Sequence, residues 1–235
     1  MEGLAVSALV WILIHRLISG GPLRGQLVAR LGERTYQGAF AVLSAASLAA
    51  LVVAYAGARP SGSSVSALWL VTAVSLVQLL ASVLVVTGLS TPNPTTAGMG
   101  KMVHEPDIAH GMLRVTRHPF LWGVMLWSGA HLAVRHHPAA LTFFGSLGLV
   151  AAIGTWSIDR KRRLAHGAAW DAYAYRTSSI PFVAIARGRQ RFLVREINVV
   201  RIAIGVLLWV ALLLAHPFLS GGASVLARFS FASTP

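Results

Sequence analysis

Charged residues are missing from four long stretches of this chain, and these stretches restrict its fold more than any other feature. No Asp, Glu, Lys or Arg occurs between Arg34 and Arg59, between Arg59 and Lys101, between Arg135 and Asp159, or between Arg201 and Arg228. Each stretch is long enough to cross a bilayer as a helix of about 20 residues. A chain in lipid must satisfy its backbone hydrogen bonds internally, so only helices and closed barrels cross a membrane. The alternating pattern of barrel strands is absent, and the sequence therefore predicts an all-α, polytopic membrane protein.

The composition excludes a soluble domain. Hydrophobic residues make up 55% of the chain and charged residues only 11%, whereas soluble proteins have roughly 25% charged residues. In a soluble protein a net charge of +13 would indicate a nucleic-acid partner. Because no soluble domain remains to present a binding face, we expect no nucleic-acid binding. Cysteine is absent, which excludes disulfide bonds and thiolate ligands.

We predict a single transmembrane domain over residues 1–235, with about six transmembrane helices. The predicted spans are Gly3–Ile18, Ala39–Ala58, Val65–Leu89, Pro119–Val134, Ala139–Ile158 and Val199–Leu219. We expect the first span to be retained, because Glu2 stands where a signal peptide has positive charge. A short interfacial helix within Arg160–Gln190 is expected to end near Ser178, since Pro181 cannot continue a helix.

The basic residues lie almost entirely on one side of these spans. Of the 20 Lys and Arg residues, 17 fall in linkers 16–38, 90–118 and 159–198 or at the start of the last span. Only Arg59, Arg135 and Arg228 fall on the other side. Cytoplasmic loops are rich in Lys and Arg, so the three linkers are predicted to be cytoplasmic. We therefore expect an inner-membrane protein with both termini in the periplasm.

Four of the nine histidines lie at the ends of predicted spans, where ionisable residues are costly and are candidates for function. His15 and His118 lie at cytoplasmic ends, whereas His131 and His216 lie at periplasmic ends. The 13 residues from His118 to His131 correspond to roughly 20 Å of helix, so one small metal centre cannot use both. The sequence therefore favours a ligand pair at one depth, as in a b-type haem bound between two imidazoles.

His118 has the most favourable local chemistry of the four. Pro119 suits the first position of a helix, which puts His118 at its N-cap. The positive end of the helix favours neutral imidazole, the form that binds metals. Arg114 and Arg117 are expected to pair with carboxylates such as haem propionates, and to share a face if the stretch is helical. Two simpler interpretations stay open: His118 as a cap bonded to backbone, and His131 with His216 as a structural pair.

The residues Gly111–Pro119, with the sequence GMLRVTRHP, resemble the NnrU family, which includes the 15-cis-zeta-carotene isomerases of plants and cyanobacteria. The resemblance continues through Trp122-Gly123, Leu126-Trp127, Ala130-His131, Asp159-Arg160, Tyr173–Arg176, Thr177–Phe182, Gly188–Gln190 and Ala215–Pro217. It implies a membrane protein that binds haem b through His15 and His118 and isomerises a polyene or similar lipid. The residues that it makes candidates for contact with the cofactor are Arg114, Arg117, Trp122, His131 and His216.

The chain departs from the isomerases at two positions. Ser128 stands where they have a cysteine, so thiolate ligation is excluded. Arg16 follows His15, where they have a small polar residue.

A more distant similarity extends to membrane methyltransferases that act on isoprenylcysteine or phospholipids and use S-adenosylmethionine. It rests on Arg117-His118-Pro119, Gly123 and Tyr173–Tyr175. Those enzymes have a pair of glutamates where this chain has Asp159-Arg160, so we expect a shared fold rather than shared chemistry. The third alternative is a non-enzymatic haem protein linked to nitrite or nitric-oxide metabolism.

Overall fold

The computed structural model describes residues 1–21, 23–58 and 67–220, and all regular structure in these residues is helical. The α-helices are α1 (Glu2–Leu13), α2 (Leu23–Leu31), α3 (Glu33–Gly57), α4 (Leu68–Ser90), α5 (Met112–Val115), α6 (Pro119–Val134), α7 (Pro138–His166), α8 (Ala168–Arg176), α9 (Val183–Ala186) and α10 (Val199–Ser220). A π-helix, Ile14–Ser19, continues α1, and 3-10 turns lie at Gly100–His104 and Val194–Glu196. The predicted all-α class is confirmed.

Five helical segments are long and apolar enough to cross a membrane: α1 with its π-helix, α3, α4, α7 and α10. The chain is therefore a multi-pass membrane protein. Helix α6 has the predicted bounds, but its 16 residues span about 24 Å, near the lower limit for a crossing. The sixth crossing, and with it the periplasmic position of both termini, stays a prediction. Four elements of the predicted topology lie outside the described residues: Arg59, Arg228, the loop Pro60–Ser64 and the start of the third span at Val65.

Helix α7 does not end at Ile158, where the apolar stretch ends, but continues to His166. The residues after Ile158 favour helix and contain no Gly or Pro before Gly167. Gly167 has φ of +50°, a conformation that favours glycine and ends the helix. The basic run Arg160–Arg163 therefore belongs to α7, and the helix predicted to lie at the interface corresponds to α8 alone. At 29 residues, or about 43 Å, α7 is longer than the hydrocarbon layer of about 30 Å.

Helix α7 lies at the centre of the bundle. It contacts α1, α3 and α6, while α6 also packs against α4 and α4 against α10. On the side of the predicted periplasm, α1, α3 and α7 share a buried apolar core that includes Leu4, Trp11, Leu51, Phe143 and Phe144. The other end of α7 has the charged residues, which places them beside the start of α6.

Two glycines allow α4 and α6 to approach closely. A Cβ atom on Gly88 would lie 2.3 Å from the backbone nitrogen of Phe120, and one on Gly123 would lie 2.9 Å from that of Val85. Membrane helices use small residues for such contacts because the backbones can then touch. The contact at Gly88 fixes the first turn of α6 and so positions His118.

Candidate functional site

His118 is buried where α6 begins, and it binds a carboxylate of α7. Its Nε2 lies 2.8 Å from Oδ1 of Asp159. Arg117 binds the same carboxylate through its guanidinium, with Nε 3.0 Å from Oδ1. His118 is the N-cap of α6 and Pro119 its first residue, as predicted. Because the side chain binds Asp159 and makes no cap hydrogen bond, capping alone does not explain its position.

The hydrogen bond to Asp159 determines which nitrogen of His118 bears the proton. A carboxylate only accepts, so Nε2–H donates and Nδ1 keeps its lone pair in the neutral ring. Burial lowers the pKa of His118 despite the opposing effect of Asp159, so the ring is neutral near pH 7. Nδ1 is buried and has no hydrogen-bond partner among the residues described. A free ring nitrogen opposite a carboxylate-bound one is the usual arrangement of a metal-binding histidine.

His15 lies in the π-helix at the end of α1. Its Nδ1 is 2.8 Å from the carbonyl oxygen of Trp11, which can only accept, so Nδ1 bears the proton and Nε2 has the lone pair. Nε2 is 3.3 Å from the hydroxyl of Ser44, a weak contact. Short π-helical segments are frequent at functional sites, and here the segment directs the accepting nitrogen of His15 away from its own helix.

A partly open cleft of about 130 Å³ lies beside His15. Its walls come from the α1–π-helix segment, α6 and α7, and they are mostly apolar, with Ile12, Leu121, Val150 and Ile153 among them. Leu121 is one helical turn after His118. Typical ligand pockets measure about 300–1,000 Å³, so a macrocycle would have to widen this cleft or extend through its open side.

The structure does not bring the two predicted ligands into contact. No hydrogen bond or ring contact joins His15 to His118 within the described ranges, and no group of three His, Asp or Glu residues there forms a metal site. Each instead has a ring nitrogen that no strong hydrogen bond occupies. Either histidine could therefore hold a metal centre through that nitrogen without touching the other.

Arg114 and Arg117, the predicted partners of haem propionates, each bind a carboxylate of the protein. Arg114 donates to both oxygens of Glu196 at 2.6 and 2.8 Å and also contacts Gln190, whereas Arg117 binds Asp159. Helix α5 ends at Val115, so Arg114 and Arg117 do not lie on one helix and the condition for a shared helical face is not met. The backbone of Gly111 also donates to Glu196, and together these bonds lower the pKa of Glu196 to about 2.

Trp122 anchors a loop rather than facing the cleft. Its indole Nε1 donates to the carbonyl of Ser179 at 2.7 Å, and the hydroxyl of Thr116 donates to the same oxygen at 2.8 Å. The backbone nitrogen of Arg117 donates to the carbonyl of Ser178 at 2.9 Å. The segments Gly111–Pro119 and Thr177–Phe182 therefore form one hydrogen-bonded unit around His118.

His131 and His216 lie far along their helices from this unit, at the opposite membrane face in the predicted topology. Nδ1 of His131 lies 2.8 Å from the carbonyl oxygen of Trp127 and 2.9 Å from Nε2 of Gln78. It donates to the carbonyl or accepts from the amide, according to the tautomer, because one ring nitrogen cannot do both. Its ring stacks on Phe144 with 4.3 Å between centroids. His216 lies close enough to His131 for the two rings to repel each other if both were protonated. The contacts of His131 are those of a packed structural side chain.

Sequence reasoning gave no role in the site to the two carboxylates that organise this region. Asp159 and Glu196 are two of only seven acidic residues in the chain. Asp159 directly follows a long charge-free stretch, a position where a carboxylate is expensive unless it is paired. Tyr173 was also given no role there. It is buried, its hydroxyl has no hydrogen-bond partner among the described residues, and burial raises its pKa above the usual range.

The fold and the buried histidine–carboxylate pair define a multi-pass helical membrane protein with a polar site at one end of its bundle. Residues 3–224 match the family model described as "NnrU protein". The chain therefore belongs to the NnrU family, and the predicted resemblance is confirmed.

Two curated relatives are named 15-cis-zeta-carotene isomerase, chloroplastic. The protein from Arabidopsis thaliana is 30% identical over 194 residues, which is 79% of this chain and 52% of the relative. The protein from Zea mays is 29% identical over 168 residues, 68% of this chain and 44% of the relative. The chain thus spans about half the length of these relatives. No solved structure matches it.

Proposed function

We propose that this protein binds haem b through His15 and His118 and isomerises a cis double bond in a membrane-embedded polyene. The observation that most supports the haem is the unpaired, buried Nδ1 of His118, whose Nε2–H is bound by Asp159. His15 contributes a second lone pair, on Nε2, because its Nδ1–H is bound by Trp11; the hydroxyl of Ser44 contacts this Nε2 at 3.3 Å. The name of the two relatives supports the reaction and the substrate class.

The residues of the site bind and orient; they do not transfer protons. When bound, haem iron supplies a Lewis-acid or one-electron centre that lowers the order of a nearby double bond. Isomerisation changes only bond geometry, so substrate and product have the same atoms and electrons and no general base is needed. The absence of a general base fits the state of Asp159, because its carboxylate is already bound by Arg117 and His118.

The apolar walls of the cleft suit a hydrocarbon substrate. Leu121, Val150 and Ile153 offer no hydrogen-bonding group to a chain that has none, and such contact favours binding by removing apolar surface from water. The orientation belongs to the same proposal: an inner-membrane protein with cytoplasmic linkers, so the site lies at the cytoplasmic face.

Two alternative functions make different demands on the site residues. An S-adenosylmethionine-dependent methyltransferase would need acidic groups free for a cationic cofactor, whereas Asp159 and Glu196 both bind arginine. A non-enzymatic haem protein would bind haem through the same histidines but would not isomerise the polyene.

The test is isomerisation of 15-cis-zeta-carotene by the detergent-purified protein, followed by chromatographic separation of the isomers. We expect conversion by the wild type and background conversion by His118→Ala. A haem-loaded wild type that leaves the substrate unchanged would support the non-enzymatic alternative instead.

A further inference from the structure

The cleft beside His15 is a groove between two helical segments. The residues of α7 that line it recur every three or four positions from Val150 to Lys161, and those of the α1–π-helix segment do the same from Ile12 to Gly20. Such spacing keeps side chains on one face of a helix. The 11 residues from Val150 to Lys161 correspond to about 16 Å of helix. The cleft is therefore long and narrow, a shape that suits a linear chain rather than a flat ring.

The two ends of this groove differ in polarity. Ile12, Val150 and Ile153 line one end, whereas the half-buried Lys161 lies at the other. The ammonium of Lys161 donates to the carbonyl oxygen of Ser19, the last residue of the π-helix, at 2.9 Å. An ammonium has three N–H donors, so two are left for a ligand in the groove.

The positive charge at this end is not neutralised by the protein. Lys161 and Arg16 both line the groove, and neither forms an ion pair with a carboxylate of the described chain. The charged groups that act on Lys161 are Arg24, Arg162 and Glu33, and Glu33 is itself paired with Arg24 at 2.7 Å. The basic end therefore favours an anionic ligand.

A buried hydroxyl also lies at the basic end. Ser157 is one helical turn before Lys161 and lines the groove, and its Oγ has no hydrogen-bond partner among the described residues. A Cβ atom on Gly20 would lie 2.7 Å from this oxygen, so the glycine leaves the space beside it open. A buried hydroxyl without a partner costs free energy, which a ligand with an accepting oxygen would recover.

We infer that the groove binds a linear polyene with a carboxylate at one end. The hydrocarbon lies along the apolar walls, and the carboxylate lies at the basic end, where it accepts from Lys161, Arg16 and the hydroxyl of Ser157. The inference rests on the proposed function in taking the occupant to be the polyene substrate; the acidic end is what it adds. A hydrocarbon polyene would fill the apolar end and leave the two cations unpaired.

The test compares cis-parinaric acid, a conjugated tetraene fatty acid, with its methyl ester, which has the same chain but no charge. Each is titrated into the detergent-purified chain at a pH at which the acid is ionised. Binding is followed by energy transfer from tryptophan to the tetraene, with protein-free micelles as the blank. A half-buried charged hydrogen bond contributes about 10-fold to affinity, and an exposed charged pair about 3-fold. We therefore expect the acid to bind about 30-fold more tightly than the ester.

The double variant Arg16→Gln/Lys161→Gln should bind both probes about equally, at the affinity that the wild type has for the ester. Unchanged binding of the ester also shows that the variant is folded. The matched control is Arg34→Gln/Lys101→Gln, which removes an arginine and a lysine that do not line the groove. It should keep the preference for the acid.

A second pair of variants tests the position of the hydrocarbon. Gly154 lines the groove, and its Cβ would make ordinary contact with Leu121 at 3.4 Å. Gly154→Val therefore fills part of the apolar body, and it should weaken the binding of both probes while keeping the preference. Gly145→Val is the control on the same helix, because a Cβ there meets no atom within 4 Å and Gly145 does not line the groove.

Three results would overturn the inference. The first is a wild type that binds acid and ester equally. The second is a double variant that keeps the wild-type preference. The third is a wild type that binds neither probe, as expected if a bilayer phospholipid fills the groove. Chromatography of the bound acid tests the reaction separately: an acid that is preferred but not isomerised would contradict the proposed function and leave the binding site in place.

Discussion

Asp159 accepts a hydrogen bond of 2.8 Å from Nε2 of His118, and this contact links α7 to the first turn of α6. It fixes the tautomer of the histidine and leaves Nδ1 free. Arg117 binds the same carboxylate. The carboxylate of Asp159 therefore connects the guanidinium of Arg117 to the imidazole of His118 through hydrogen bonds. Asp159 therefore positions the imidazole of His118, the proposed ligand.

The first prediction concerns this positioning role. Asp159→Asn keeps the size of the side chain but removes its charge. The imidazole of His118 would then donate less electron density to a bound metal. Loss of such a partner typically lowers metal affinity about 10- to 100-fold. Haem titration should show this loss of affinity. Potentiometry should show a higher midpoint potential, because a less electron-rich imidazole stabilises oxidised iron less.

Asp171→Asn is the matched control, since Asp171 forms an exposed ion pair with Arg163 on the same side of the membrane. It should leave affinity and potential unchanged. If Asp159→Asn behaves like the control, Asp159 does not position a haem ligand.

The second prediction separates the ligands from the structural histidine. His118→Ala should abolish haem binding, and His15→Ala should abolish it or leave a five-coordinate form. His131→Ala should retain haem, because His131 is bound by Trp127 and Gln78 instead. The measurement is the haem-to-protein ratio with the absorption spectrum. Full haem loading of the His15→Ala/His118→Ala protein would exclude both ligands.

The third prediction concerns the ion pair between Arg114 and Glu196. The pKa of Glu196 lies near 2, below its usual value of 4.5, mainly because of the hydrogen bonds from Arg114. A lowered folded-state pKa stabilises the protein above the unfolded pKa, and this contribution is lost as the pH falls towards 2. Near pH 7 the pair should contribute about 1 kcal/mol to stability.

Thermal unfolding of the wild type and Glu196→Gln between pH 2 and 7 tests this. The difference between them should be constant above about pH 5 and disappear near pH 2. A difference that does not change with pH would mean that the charge of Glu196 is irrelevant.

The fourth prediction concerns the contact of α4 with α6. Gly88→Ala would place a methyl group 2.3 Å from the backbone nitrogen of Phe120, so the helices must separate. We expect a loss of about 1–3 kcal/mol in stability, together with weaker haem binding, because the start of α6 positions His118. Gly129→Ala is the control: its Cβ meets no atom within 4 Å. Equal effects of both substitutions on thermal unfolding would refute the close contact.

The fifth prediction is the topology. Alkaline phosphatase fused after Pro60 or at the C-terminus should be active, and fused after Arg163 it should be inactive, because 17 of 20 basic residues lie on the side of Arg163. Activity at Arg163 would overturn the orientation.

The sequence identified those features that local chemistry determines. The apolar stretches predicted the spans, and Pro119 marked the start of α6 because proline suits a first helical turn. The end of α7 was predicted wrongly. The apolar stretch ends at Ile158, but a helix continues into polar residues until one of them breaks it, and here the first such residue is Gly167.

The partners of the site residues could not be predicted, because they depend on how distant segments pack. Asp159 is 41 residues after His118, and Glu196 is 82 residues after Arg114. Proximity in sequence instead suggested propionates as the partners of the arginines. Only the packing of α7 against α6 and α1 shows that Lys161, not Arg117, lines the cleft beside His15.

The central claim is that the chain binds haem b, and the absorption spectrum of the detergent-purified protein, oxidised and reduced, tests it most directly. We expect a Soret band with the low-spin pattern of two imidazole ligands, and its loss in His118→Ala. A wild type that purifies and reconstitutes without haem, yet binds S-adenosylmethionine at micromolar concentration in calorimetry, would contradict the account and support a methyltransferase.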